Sequence, residues 1–118
     1  MIKSYEDLEV YQRSYTSSLE IHRLSLTFPK FEQFELAAQL RRATKSIPIN
    51  IAEGYGKRGS VAEFKRYLTI ALGSNDEVKV QLRYCKDLDY ISDEQFKNLG
   101  KEHTEIGRML TKLIKVWR

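Results

Sequence analysis

The chain is poor in the residues that build catalytic and metal sites. It contains one cysteine and two histidines in 118 residues, which excludes an internal disulfide and the usual ligand spacing of a zinc site. Neither histidine has a glutamate three positions before it, so the Glu-x-x-His motif of di-iron bundles is missing. There is no Gly-x-Ser-x-Gly elbow either. The sequence therefore predicts no metal, no cofactor and no enzymatic activity.

Long apolar runs are also missing. No stretch approaches the roughly 20 apolar residues of a membrane-spanning helix, and residues 1–7 contain no apolar signal segment. We therefore expect no membrane insertion and a cytoplasmic location. The single cysteine, Cys85, falls among apolar residues at helical spacing, which predicts a buried structural thiol.

Glycine and proline are scarce, and their positions divide the chain into four helical segments. Apolar residues recur at spacings of three and four in the segments 4–28, 31–53, 60–88 and from 92 onward. Serines before the third and fourth segments, in the patterns Ser60-x-x-Glu63 and Ser92-x-x-Gln95, predict N-terminal caps. The fold class that follows is all-α, an antiparallel up-down four-helix bundle forming a single domain over residues 1–118.

Several positions within these segments carry more detailed predictions. Pro48 lies inside the apolar stripe of the second helix and predicts a kink there. Gly54 is predicted to cap that helix in the left-handed conformation, and Gly73 to mark a close approach between helices. The stripe assigned to the first helix, and hence to its buried face, consists of Leu8, Tyr11, Tyr15, Leu19, His22 and Leu26.

The positive charge of the chain is concentrated between residues 41 and 66. This segment has seven basic and two acidic side chains, whereas the whole chain has a net charge of +4. A basic cluster of this kind attracts phosphate groups, and the alternative is an ordinary solvated face. Its members, called here the 41–66 cluster, are Arg41, Arg42, Lys45, Lys57, Arg58, Lys65 and Arg66.

Polar residues on the second and third helices form another candidate group. We interpret them as an interhelical or intersubunit hydrogen-bond network, in which Asn75 lies on the apolar stripe itself. The alternative is an enzyme that uses Glu53 and Glu77 as an acid–base pair. The group consists of Asn50, Glu53, Ser74, Asn75, Glu77 and Gln81. Tyrosines at the stripe edges predict a subunit interface or base stacking: Tyr55, Tyr67, Tyr84 and Tyr90.

Taken together, three groups of motifs resemble one bacterial family. The second helix carries Gln-Leu-Arg-Arg-Ala at 39–43, Ser-Ile-Pro at 46–48 and Asn-Ile-Ala-Glu-Gly-Tyr-Gly at 50–56. The third carries Glu-Phe at 63–64, Tyr-Leu at 67–68, Ile-Ala-Leu-Gly-Ser at 70–74, Glu77 and Gln-Leu at 81–82. With Asp-Tyr-Ile at 89–91, this pattern is similar to the 23S rRNA intervening-sequence proteins. Asp89 departs from it, because family members often have glycine there.

The resemblance implies a four-helix bundle that assembles as a homopentamer around a central opening and has no established enzymatic activity. A related accessory protein of diversity-generating retroelements binds nucleic acid and partners a reverse transcriptase. We accordingly expect a non-enzymatic, homo-oligomeric accessory protein that binds structured RNA or DNA through the 41–66 cluster. The alternative is a protein-interaction scaffold without a nucleic-acid ligand.

Overall fold

The computed structural model describes residues 1–118 and contains helices and no strand, so the predicted all-α class is confirmed. The elements are a 3-10 turn (Tyr5–Asp7), α1 (Glu9–Ser25), a second 3-10 turn (Lys30–Glu32), α2 (Leu36–Gly56), α3 (Val61–Asp87) and α4 (Asp93–Val116). No helix combines the length and the apolar character that a membrane crossing requires.

Neighbouring helices make contacts in opposite sequence order. Arg42 of α2 pairs with Glu77 of α3, whereas Ser46, one turn later on α2, bonds to the earlier Ser74. Numbering that rises along one helix while it falls along its partner is the order expected for antiparallel packing. The helix pairs in contact are α1 with α2, α2 with α3, α3 with α4, and α1 with α4. The four helices thus surround one core.

The core consists of apolar side chains that all four helices contribute, with α2, α3 and α4 supplying most of them. Cys85 belongs to it, as predicted, and burial raises the pKa of its thiol to about 12. The largest fully buried apolar side chains are Ile21, Leu40, Ile47, Ile51, Phe64, Leu68, Val78, Leu82, Ile106 and Leu110.

Both predicted serine caps form. The hydroxyl of Ser92 accepts from the Gln95 N–H at 3.0 Å, and the Gln95 side chain accepts from the Ser92 N–H at 2.8 Å, which completes a reciprocal capping box. The Ser60 hydroxyl accepts from the Glu63 N–H at 3.2 Å. The Glu63 carboxylate bonds to Arg66 at 2.8 Å instead of reaching back, so only the serine half of that box is present.

The predictions for Gly54 and Gly73 were both wrong. α2 starts at Leu36 rather than near residue 31 and continues to Gly56, so Gly54 is helical, and no glycine has a positive φ. A Cβ on Gly54 would lie 2.6 Å from the Cβ of Tyr67, whereas one on Gly73 would meet nothing within 4 Å. Gly54, not Gly73, therefore permits the close approach of α2 and α3. Pro48 lies inside the unbroken α2, and the kink there stays a prediction.

The first helix turns a different face to the core from the one predicted. Of its six-residue stripe only Leu8 is buried, and Tyr15, Leu19 and Leu26 are 47%, 38% and 59% exposed. The buried face instead carries Val10, Ile21 and four serines: Ser14, Ser17, Ser18 and Ser25. Serine is small enough to allow close packing. Three of the four hydroxyls donate to a carbonyl three residues earlier, so burial leaves them satisfied.

Candidate nucleic-acid interface

The 41–66 cluster divides into two groups in the folded protein. Arg41, Arg42 and Lys45 lie in the first half of α2, whereas the other four residues lie around the link from α2 to α3. Sixteen residues separate Arg41 from Lys57, which corresponds to about 24 Å along a helix. The seven charges therefore do not form one patch.

Arg41 is committed to contacts within the protein. Its guanidinium donates to the Ser25 hydroxyl at 2.8 Å and to the Gln33 side-chain and backbone oxygens at 3.2 and 2.9 Å. These bonds use three of the five guanidinium donors and tie α2 to α1 and to the segment between them. Arg41 thus has a structural role that its position in a basic run did not reveal.

The other two members of the first group are also engaged. Arg42 lies 3.8 Å from Glu77, and the Lys45 ammonium donates to Nδ1 of His22 at 3.0 Å. Desolvation, followed by the charges of Lys45 and Arg41, lowers the pKa of His22. The imidazole is therefore neutral and accepts the hydrogen bond. In the first group, Arg42 and Lys45 are therefore exposed, but each already has a partner within the protein.

The second group lies at one end of the bundle, around the link from α2 to α3. We call it the turn surface, defined by Lys57, Arg58, Lys65 and Arg66. The guanidinium groups of Arg58 and Arg66 lie 4.0 Å from the ring of Tyr55 and 4.7 Å from the ring of Tyr67, and Lys57 lies 5.7 Å from the latter ring. These cation–π contacts hold the cations in defined positions. Glu63 is the single carboxylate paired with this surface.

The predicted polar network forms only in part. The Asn50 amide donates to the Ser46 hydroxyl at 2.9 Å, and that hydroxyl is 2.8 Å from the hydroxyl of Ser74. Ser46, which sequence reasoning missed, therefore joins the two predicted members. Separately, the Gln81 amide donates to Glu77 at 3.1 Å.

Glu53 and Glu77 do not form a carboxylate pair. Glu53 is exposed and outside the network. Glu77 contacts Arg42, which lies eleven residues before Glu53 on α2. That separation is about 16 Å along the helix, too far for two carboxylates to act on one group. The acid–base alternative based on these two residues was wrong.

Asn75 contacts α4 rather than α2. Its amide donates to the His103 carbonyl at 2.8 Å, and its oxygen lies 2.8 Å from Nδ1 of His103. On the other side of the ring, Nε2 lies 2.7 Å from the Ser17 hydroxyl. Sequence reasoning identified Asn75 but missed its two partners, although each occupies a core position of its helix. The chain Ser17–His103–Asn75 links α1, α4 and α3.

This chain has the residue order of an acyl-transfer triad but lacks access to a substrate. None of the three residues is more than 4% exposed. Desolvation lowers the pKa of His103 to about 4, so its imidazole is neutral. Nδ1–H then donates to Asn75, and the Ser17 hydroxyl donates to Nε2. The hydrogen bonds of this chain hold three helices together.

No group of three His, Cys, Asp or Glu side chains is placed to hold a metal ion.

Comparison with known proteins identifies the family. Residues 6–112 match the model of the 23S rRNA-intervening sequence proteins. The chain belongs to this family. The intervening-sequence match includes all seven residues of the 41–66 cluster, and it confirms the resemblance noted in the sequence.

A solved structure supports the same assignment. It is described as a protein with unknown function from the S23 ribosomal protein family of Bacteroides thetaiotaomicron. Its TM-score to the present chain is 0.82 at 29% sequence identity, covering 91% of this chain and 96% of the other. The arrangement of four helices is thus shared over nearly the full length of both proteins. A search of curated proteins returned no match.

Proposed function

We propose that this intervening-sequence family protein is a non-enzymatic, homo-oligomeric accessory protein that binds structured RNA or DNA. The observation that carries the proposal is the turn surface, which has four basic side chains and a single paired carboxylate, Glu63. Contacts of lysine and arginine with phosphates are independent of base sequence. Binding should therefore be weakly sequence-specific and should weaken steeply with salt.

The state of the individual side chains supports this surface over the first group. Lys57 and Arg58 are exposed, and neither has an ion-pair partner within 4.0 Å. Arg58 is held by its ring contact and by a 2.9 Å bond to the Tyr55 carbonyl. A guanidinium held in place loses less side-chain entropy when it binds a phosphate. Arg41, by contrast, would have to break three bonds.

Exposed apolar residues support the oligomer. Phe31 and Phe34, in the segment between α1 and α2, are 72% and 89% exposed, and Leu26 lies at the same end of α1. Two phenylalanine rings this exposed within four residues of each other mark an interaction surface. A second copy that covers them would repeat the turn surface around the assembly and raise its avidity for a long polyanion. The five-subunit count is proposed from the family resemblance.

The test is fluorescence anisotropy of labelled RNA hairpin and duplex DNA across a salt series. The variant Lys57→Gln/Arg58→Gln/Lys65→Gln removes three charges from the turn surface. The control Lys3→Gln/Arg23→Gln/Lys30→Gln removes three charges from exposed basic side chains elsewhere. We expect the turn variant to lower the slope of log K against log salt by about 2 to 3, and the control to leave it near the wild-type value. Equal binding by both variants, or no wild-type binding at low salt, would contradict the proposal.

The alternative, a protein-interaction scaffold without a nucleic-acid ligand, is favoured by a different observation. Val80 and Tyr84 on the outer side of α3 are 58% and 59% exposed, and tyrosine is enriched in protein interfaces. Recovery of one defined protein partner after nuclease treatment, together with the absence of RNA and DNA binding, would support it. Loss of that partner on nuclease treatment would support the nucleic-acid proposal.

A further inference from the structure

A second basic surface lies in the groove between α3 and α4. The groove has a volume of about 680 Å³, and a single apolar residue, Leu72, lines it. Four basic side chains and one acidic side chain, Asp76, also line it. The basic residues, called here the groove cations, are Lys79, Arg108, Lys112 and Lys115.

The groove cations form a line rather than a cluster. Arg108, Lys112 and Lys115 follow one another at spacings of four and three on α4, which places them on one face over about 10 Å of helix. Lys79 faces them from α3. Residues 106–118 contain four basic and no acidic side chains. Because the longer segment 67–118 has nearly equal numbers of basic and acidic residues, its net charge does not reveal this local excess of basic side chains.

These charges are more available than those of the first group on α2. Lys79, Lys112 and Lys115 are exposed, and none has a carboxylate within 4.0 Å. The Arg108 side chain is 77% exposed and lies 3.5 Å from Glu105. Thr104 and Thr111 also line the groove. The Thr104 hydroxyl can donate to a phosphate oxygen, whereas the Thr111 hydroxyl already donates to the Gly107 carbonyl at 2.8 Å.

Gly107 lies at the bottom of the groove, which is deeper there because this residue has no side chain. A Cβ at this position would lie 3.1 Å from the side-chain nitrogen of Asn75 and 3.9 Å from Leu72. Asn75 is fixed from below by its two bonds to His103. The groove therefore has a floor held in place by hydrogen bonds and walls of exposed basic side chains.

The groove leads to the turn surface. The Trp117 ring lies 4.8 Å from the Phe64 ring, so the end of α4 packs against the start of α3, next to Lys65. Lys65 and Lys79 are separated by two heptads, which keeps them on about the same face of α3. Fourteen residues span about 21 Å, the length of about six base pairs. The two basic surfaces thus follow one side of the bundle.

We infer that the groove between α3 and α4 binds the sugar–phosphate backbone of the nucleic acid that also contacts the turn surface. This inference rests on the proposed function and extends it to a second site. A linear series of cations matches a backbone with regularly spaced charges. A folded acidic protein would need an apolar centre in its interface, and the groove supplies only Leu72.

The test compares two variants with the same loss of charge. Lys79→Gln/Lys112→Gln/Lys115→Gln removes three groove cations, and Lys3→Gln/Arg23→Gln/Lys30→Gln is the control. All six side chains are exposed, so both variants should fold, which circular dichroism verifies. With a labelled RNA hairpin and a 20-base-pair DNA as probes, we expect the groove variant to lower the salt slope by about 2 to 3 and the control to leave it unchanged.

A charge insertion provides an independent test. Thr111→Glu places a carboxylate in the groove, and Thr16→Glu places one on an exposed position of α1. We expect Thr111→Glu to weaken binding of both probes at least tenfold at low salt and Thr16→Glu to change it less than twofold, because only the first carboxylate faces the bound phosphates.

The possible outcomes distinguish a failure of the groove site from a failure of the proposed function. Wild-type binding that the groove variant retains in full would overturn the groove and leave the turn surface as the site. No wild-type binding to either probe at low salt would overturn both. A labelled polyglutamate chain that binds as tightly as RNA, with the same loss in the groove variant, would identify the ligand as an acidic polypeptide and overturn the inference.

Discussion

At the scale of single residues, the buried Ser17–His103–Asn75 chain makes the stability of the protein depend on pH. The folded-state pKa of His103 is lowered to about 4 from an ordinary value of 6.5. The unfolded chain therefore binds more protons between these two values. Stability that is fully present above pH 6.5 is lost as the pH falls toward 4.

We expect the free energy of unfolding to fall by about 2 kcal/mol from pH 7 to pH 5 because of His103. Urea denaturation of the wild type and of His103→Gln, at both pH values, measures this change. The variant should be less stable at pH 7 and should lose less stability on acidification. Equal acid sensitivity of the two proteins would assign the pH dependence to other groups, of which His22 is the first candidate, since its pKa is also lowered.

Residue chemistry explains what could be predicted of the site. A run of like charge is visible in a sequence. The hydrogen bonds of Arg41, however, go to Ser25 and Gln33, which lie sixteen and eight residues before it. For the same reason Asn75 could be identified as a buried polar residue, whereas its partners on α1 and α4 could not. Local sequence supplies the charge, and the tertiary contacts decide which charges are available.

At the scale of the helices, two glycines with opposite surroundings provide a matched test. Gly54→Ala would place a Cβ 2.6 Å from the Cβ of Tyr67, whereas Gly73→Ala adds a methyl group that meets nothing within 4 Å. We expect the first change to destabilise the protein by about 1 to 3 kcal/mol through overpacking. The second should stabilise it by about 0.5 to 1 kcal/mol through helix propensity.

Urea unfolding of both glycine variants measures the difference. A Gly54→Ala protein as stable as the wild type would mean that α2 and α3 separate easily, contrary to the packing described above. A Gly73→Ala protein that is destabilised would place Gly73 against another surface, such as a second subunit.

Helix prediction succeeded where local chemistry decides the outcome. The caps at Ser60 and Ser92 depend on neighbours within three residues. The apolar stripes of α3 and α4 face the core for most of their length, although Leu88, at the end of the third stripe, is 47% exposed. The buried face of α1 could not be predicted from hydrophobicity, because its four serines bury hydroxyls that bond to their own helix. Its tyrosine and leucine stripe has the stronger apolar signal but faces outward.

At the scale of the whole molecule, exposed phenylalanines lead to a prediction about association. We expect Phe31→Ser/Phe34→Ser to shift the protein to smaller species in sedimentation velocity, since covering each ring contributes about 1.5 to 3 kcal/mol. Ile49→Ser/Val116→Ser, which alters two other exposed apolar residues, is the control. An unchanged sedimentation coefficient in the phenylalanine variant, or an equal shift in the control, would place the subunit interface elsewhere.

The serine-rich buried face of α1 bears on the assembly as well. This helix buries few apolar side chains against its own bundle and leaves Tyr15, Leu19 and Leu26 exposed, so a neighbouring subunit that covers them would add apolar burial that the single chain lacks. In the proposed oligomer, the energy that orders α1 is therefore partly intermolecular, and mass action links it to subunit concentration. On dilution α1 would be the first helix to exchange its amide protons freely, while α2, α3 and α4 remain closed.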